Sequence, residues 1–266
     1  MLRRARLRRN LGKPARALER VVGGGRVRER LLLGALGAHY ASRFRREWRW
    51  TDDPPHFFDH RIGAFDLAFG SARNGAYPWF RAFCAAEVIR DGDVVLDIGC
   101  GDGFFTARFF TPRSRAVDGI DVDETAVATA RRQNAAPNVR YHLADAVSQP
   151  FPREQYDVVV WDGALGHFAP SDVENILAKV GQTLAPDGIF CGSESLGSEG
   201  IDHLQFFSDL GSLGEVLSPH FSRLWLREVA YEVGGHKRRE GLWRCSASSA
   251  RHDAASWHAY GGVARA

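Results

Sequence analysis

From residue 93 onward, apolar runs of four to six residues alternate with segments in which apolar positions recur at helical spacing. The apolar runs at 94–98, 116–120, 139–143, 156–161 and 188–192 predict strands. Between them, 106–110, 124–134 and 171–184 predict helices, the last capped by Ser171 or Asp172 and ended by the turn chemistry of Pro186-Asp187-Gly188. Further on, 201–217 reads as helical. The stretches 222–233 and 241–247 read as two long strands joined by a polar turn at 234–240. Alternation of this kind predicts an α/β fold: a seven-stranded, mostly parallel sheet with helices on both faces and an antiparallel hairpin at one edge.

The N-terminal third follows a different pattern. Residues 1–25 are basic and end in Val-Val-Gly-Gly-Gly, 27–50 read as helical, and Asp52-Asp53-Pro54-Pro55 marks a stop. Residues 56–90 are rich in aromatics and predict a helical N-terminal cap on the main domain. The organisation is therefore a basic arm over 1–55, partly helical or disordered, a cap over 56–90, the main domain over 91–250 and a tail over 251–266.

Charge sharpens that division. The net charge is only +3, yet residues 1–50 hold fifteen Lys/Arg against three Glu, a net of +12, and the remainder carries −9. A basic arm on an acidic body suits an anionic surface, either phospholipid headgroups or nucleic acid, or else is a solvated leader. The apolar stretch Leu31-Leu32-Leu33-Gly34-Ala35-Leu36-Gly37-Ala38 is far too short to span a bilayer. Four scattered cysteines without a C-x-x-C favour reduced thiols over a disulfide framework or a zinc site.

The chemistry concentrates where the first strand ends. Val94-Val95-Leu96-Asp97-Ile98-Gly99-Cys100-Gly101-Asp102-Gly103-Phe104 places an acid and three alternating glycines between a strand and a helix. Glycines there let main chain approach a ligand, and a following helix start offers unpaired N–H groups. The spacing departs from the G-x-G-x-x-G of dinucleotide sites, because position 104 is Phe. The pattern D-x-G-x-G-x-G resembles the first motif of class I S-adenosylmethionine (SAM) methyltransferases. Further landmarks follow in order: Asp121 at the end of the second strand, 24 residues after Asp97; Ala144-Asp145-Ala146 after the third; Trp161-Asp162-Gly163 after the fourth; and Leu184-Ala185-Pro186-Asp187-Gly188 before the fifth.

The resemblance implies SAM as cofactor. It assigns Asp97, Gly99, Gly101 and Gly103 to the cofactor loop, Asp121 to the ribose hydroxyls, Asp145 to the adenine amino group and Phe104 to cofactor packing. Arg73 is a candidate for the methionine carboxylate. The [DN]-P-P-[YF] signature of many amide- and adenine-nitrogen methyltransferases is absent after strand four, where Trp161-Asp162-Gly163-Ala164-Leu165-Gly166-His167-Phe168 stands instead. A hydroxyl acceptor needs a base, and His167, with Asp162 as partner, is the first candidate. His203 is the second, and the His56, Asp59, His60 cluster a third.

No metal is expected, although Asp162, Glu194, Glu199 and Asp202 offer oxygen atoms. The resulting expectation is O-methylation of a small-molecule or sugar hydroxyl in the cytoplasm, with the arm as a contact to the inner membrane surface. RNA methylation through the arm and a non-enzymatic SAM-fold scaffold are the alternatives.

Overall fold

In a computed structural model, the described residues are 77–198, 203–233, 236–246 and 258–259, with Leu31, Gly34, Ala35 and Ala38 in helical conformation. The chain divides into two units, 1–55 and 56–266. The second contains helix α1 (Tyr77–Glu87) and strands β1 (Val94–Ile98), β2 (Ala116–Asp121) and β3 (Val139–Leu143), with α2 (Glu124–Gln133) between β2 and β3. There follow β4 (Tyr156–Asp162), α3 (Pro170–Thr183), β5 (Leu184–Leu196), α4 (Leu210–Leu217), β6 (Arg223–Val233) and β7 (His236–Ser246). A two-residue β8 (His258–Ala259) completes the order.

The strands form one sheet in the order β3-β2-β1-β4-β5-β7-β6-β8. The first five are mutually parallel, and β7 inserts antiparallel between β5 and β6. The seven expected strands are thus present, with β8 added on the outer edge of β6. β1 is buried on both faces, as an inner parallel strand covered by helices must be. Its even positions Val94, Leu96 and Ile98 join Trp161, Leu177 and Phe190 in one core layer, while Val95 joins Ile89, Val158 and Ile189 in the other. Strand order reverses at β1 and β4, so the carboxyl ends of these strands open onto the crevice where ligands bind in open α/β sheets.

Several local expectations are corrected. The 106–110 segment closes as a π-helical turn, with Thr111 N–H donating to Thr106 C=O. Helix α3 starts after Ala169 with Pro170 in its first turn, so neither Ser171 nor Asp172 caps it; proline's fixed φ and missing N–H suit that position. Pro186-Asp187-Gly188 does not lie in a turn outside the sheet. It lies within β5, where Leu184 pairs with Tyr156 and pairing resumes at Ile189 opposite Val158, so the extra residues are taken up as a bulge. Residues 203–209 are not helical; α4 begins only at Leu210, behind an Asp209 capping box with Ser212. Residues 236–240 belong to β7 rather than to a turn, and β6–β7 pairing is continuous up to Val233 and His236.

Candidate active site at the carboxyl ends of β1, β2 and β4

The glycine loop is shaped by main-chain contacts. Gly99, Gly101 and Gly103 all have positive φ, at 71°, 55° and 71°. At Gly103 a Cβ would lie 2.6 Å from the Tyr141 ring, and at Gly99 it would lie 3.3 Å from Ala164 Cβ. Only hydrogen fits the first, and a side chain at the second would press on the strand-four loop. Gly99 and Cys100 N–H both donate to Ile120 C=O, which ties the loop to β2. Asn134 Nδ2 donates to Asp102 C=O at 2.7 Å, anchoring the loop from the end of α2.

Asp121 closes the loop from the end of β2. Its carboxylate accepts from Gly101 N–H at 2.8 Å and from Asp123 N–H at 2.9 Å. Burial raises its pKa, against the lowering effect of those main-chain donors. A carboxylate has four acceptor positions, so the Gly101, Asp123 and Val122 N–H groups leave acceptor capacity for a ligand hydroxyl. On either side of it, Val122 is 72% and Leu143 48% exposed, two apolar surfaces at the ends of β2 and β3. Asp145 is committed locally, accepting from Val147 N–H at 2.8 Å and Ser148 Oγ at 2.6 Å; these bonds lower its pKa.

Asp97 is buried and accepts from Thr106 Oγ1 at 2.6 Å. Burial pushes its carboxyl up to about 7. The Thr106 bond opposes that rise, and the charges of Asp162 and Asp121 reinforce it. Phe104 is buried with its ring 5.7 Å edge-on to Trp79 of α1, and Arg108 stacks on it at 5.9 Å.

At the end of β4, Asp162 accepts from Ser193 Oγ at 2.5 Å and pairs with Arg81 Nε at 3.0 Å. Sequence reasoning missed Arg81, although a lone arginine within the apolar start of α1, Tyr-Pro-Trp-Phe-Arg-Ala-Phe, signals a buried partner. Its guanidinium lies over Gly163, where a Cβ would meet Nη1 at 2.3 Å. Arg73, which the sequence proposed for a carboxylate, lies outside the described residues, as do His56, Asp59, His60, Glu199 and Asp202.

The two histidine candidates come together. His167 ends a short 3-10 turn, Leu165–His167, and its ring meets that of His203 edge-on at 4.5 Å. The segment after β5 is sewn onto this turn: Leu204 N–H donates to Gly166 C=O at 2.8 Å, and Gln205 Nε2 to Phe168 C=O at 3.1 Å. Glu194, weighed as a metal ligand, is instead buried and accepts from Gly166 and Ser195 N–H at 2.8 and 2.9 Å. Among the described residues no cluster of three metal-ligating side chains occurs. A depression of about 350 Å³ beside Phe151, Arg153 and Lys179 lies at the amino ends of β4 and β5, and its lining includes none of the candidate site residues.

Residues 95–188 match the family model of a methyltransferase domain. An uncharacterized methyltransferase of Mycobacterium tuberculosis is 31% identical over 116 residues, covering 42% of this chain and 57% of the relative. The 27-O-demethylrifamycin SV methyltransferase of Amycolatopsis mediterranei is 33% identical over 104 residues, covering 38% of each chain. The chain thus spans little more than half the length of the first relative and less of the second. The YcgJ protein of Bacillus subtilis, a solved structure, superposes with a TM-score of 0.51 at 18% identity, over 64% of this chain and all of that one, which establishes the fold. Residues 95–188 thus resemble a methyltransferase domain in sequence, on a fold shared with YcgJ.

Proposed function

We propose that this protein is a SAM-dependent methyltransferase that methylates the hydroxyl of a small molecule, with His167 and His203 supplying the base. The observation that carries the reading is that the glycine loop, bonded to Asp121 through Gly101 N–H, packs at Gly99 against Ala164 of the strand-four loop, the same loop that brings His167 to His203.

The residues fit the cofactor. The glycine loop leaves room for main-chain approach, Asp121 keeps acceptor positions for ribose hydroxyls, and Val122 and Leu143 offer faces for an adenine ring. Asp145, already accepting from Val147 and Ser148, would reach the adenine amino group only through its remaining acceptor positions. Asp97, buried and raised, gains its ionised form when a cation approaches, which matches the ammonium end of the cofactor. For the methionine carboxylate the proposed partner is Arg73, whose guanidinium has planar donors for it.

When bound, SAM supplies an electrophilic methyl group. The chain then has to align the acceptor oxygen, exclude water and take up a proton. Alignment is the larger part of such a reaction, and the β4 and β5 loops would provide it. Phe168, backed by the buried Trp161 at 5.3 Å, and Trp79, edge-on to Phe104, would give the crevice apolar walls. The imidazole of His167, oriented by the His203 ring, would accept the proton, a step worth about 10²–10⁴ in rate. Asp162, held by Ser193 and Arg81, would clamp the acceptor side.

The +12 N-terminal segment is read as a contact to an anionic membrane surface, and among the described residues no helix is long and apolar enough to cross a membrane. Calorimetry with S-adenosylhomocysteine (SAH) tests the core of the reading: micromolar binding is expected, and no binding would sink it. RNA that binds the full chain and is lost on deleting residues 1–50 would redirect the acceptor to nucleic acid.

A further inference from the structure

The loop after β5 points to the kind of acceptor. His203 meets two rings: His167 edge-on at 4.5 Å and Phe206 at 5.9 Å. Phe206 is half exposed, at 50%, and its neighbour Leu204 is 65% exposed. Both belong to a segment that is firmly held. Leu204 and Gln205 N–H both donate to Gly166 C=O, and Phe207 is buried in the core. Two large apolar side chains are thus exposed within three residues of His203, Phe206 in ring contact with it, on a loop with anchors to keep them there. An exposed apolar surface at a site rimmed by polar groups marks a binding contact.

The charge of this rim is equally specific. Residues 163–168 and 203–207 contain no Lys, Arg, Asp or Glu. Arg81, which reaches Gly163, is paired with Asp162. A nucleic-acid backbone or a phosphorylated sugar needs cations at close range, and neither segment supplies them. The base sets a further limit. An imidazole removes a proton far more readily from a phenol or enol than from an alcohol of a sugar ring, because the driving force for transfer follows acidity.

We infer that the acceptor is a neutral molecule with an apolar, ring-bearing body and a phenolic or enolic hydroxyl, the body resting on Phe206 and Leu204 and the hydroxyl directed at the His167–His203 pair. This rests on the methyltransferase reading above and narrows it. In the reaction the O–H proton passes to imidazole nitrogen and the oxygen lone pair forms the bond to the methyl carbon. The carbon–sulfur bond breaks with its electrons retained on sulfur, giving the methyl ether, SAH and a protonated imidazole.

The test uses the full-length protein saturated with SAH, with 4-phenylphenol as the apolar phenol and methyl β-glucopyranoside as the sugar alcohol. Saturable binding of 4-phenylphenol is expected, weakened about tenfold or more in the L204Q/F206Q double variant, as loss of a buried apolar contact implies. Its SAH affinity and Tm should match the parent, since both side chains face water. With labelled SAM, methyl transfer to the phenol and not to the glucoside is expected. If SAH binds but the phenol does not, or binds the double variant equally, or the glucoside is the better acceptor, the inference is overturned while the cofactor site stands. Failure of SAH itself to bind would overturn both together.

Discussion

Around the ends of β1 and β2 the surface offered to a ligand is largely main chain; around the ends of β4 and β5 it is side chain. In the first region glycines with positive φ, shared carbonyls and a carboxylate that accepts main-chain N–H groups define the shape. In the second, two imidazoles, a phenylalanine and an arginine–aspartate pair define it. A shape made of main chain changes only when the fold changes, so it suits a ligand that never varies. A shape made of side chains resting on a firm loop can be rewritten by single substitutions. The difference teaches where to look for specificity, and it separates variants that should injure turnover alone from those that should injure stability and cofactor binding together.

The largest effect should come from the side-chain half. His167→Ala should lower kcat by about 10²-fold or more with the Kd for SAH unchanged. Parallel loss of SAH affinity would show that His167 belongs to the cofactor wall instead. In the main-chain half, Gly103→Ala forces a Cβ to within 2.6 Å of Tyr141 at a φ of 71°. Strain and overpacking there should cost on the order of 3 kcal/mol, a fall in Tm of roughly 10 °C in thermal unfolding. An unchanged Tm would mean the loop is softer than its contacts imply.

Asp121→Ala should weaken SAH about 10–100-fold by calorimetry and also lower Tm by a few degrees, because it strips acceptors from the Gly101 and Asp123 N–H groups. If affinity falls with no loss of stability, the carboxylate serves the ligand only.

The smallest effect is a pH dependence. With its carboxyl raised to about 7, Asp97 carries a proton in the free protein below that pH. A cationic ligand favours the ionised form and expels the proton, so affinity falls as pH drops from 7 towards the ordinary carboxylate range, by up to about tenfold per unit. Calorimetry at pH 6 in two buffers of different ionisation enthalpy should register release of up to one proton. Asp97→Asn should abolish the release. The same raised carboxyl makes ionised Asp97 a burden on the fold: between the ordinary carboxylate range and pH 7 stability falls as pH rises. The asparagine variant, which keeps an acceptor for Thr106, should therefore melt higher than the parent at pH 8 and by a smaller margin at pH 5.

The two halves were also unequally legible in the sequence. The glycine-loop half could be read from 94–104 and Asp121 because its signals are local: a strand, then glycines whose positive φ is written in their own residue type. Arg81 could not be assigned this way, since its partner Asp162 is distant in sequence and only strand order brings them together. Asp145 illustrates an intermediate case: the acid is where the pattern places it, but its oxygens already accept from Val147 and Ser148. Pro186-Asp187-Gly188 misled because bulge and turn use the same residues, and only pairing with Tyr156 and Val158 tells them apart. The start of α3 misled differently: a proline at the first helical position removes the need for a side-chain cap, so Ser171 and Asp172 were left inside the helix.

The placement of β7 has a consequence for biosynthesis. This strand ends at Ser246, yet it lies between β5 and β6, and its buried Arg244 reaches back to Cys84 C=O at 3.0 Å and Glu87 at 2.5 Å. Until residues 236–246 have been made and released from the ribosome, the flank of β5 that will receive β7 is an unpaired edge. Completion of the sheet waits for the β6–β7 hairpin to dock its second strand on β5, so premature termination before residue 246 leaves a sticky intermediate rather than a smaller folded domain.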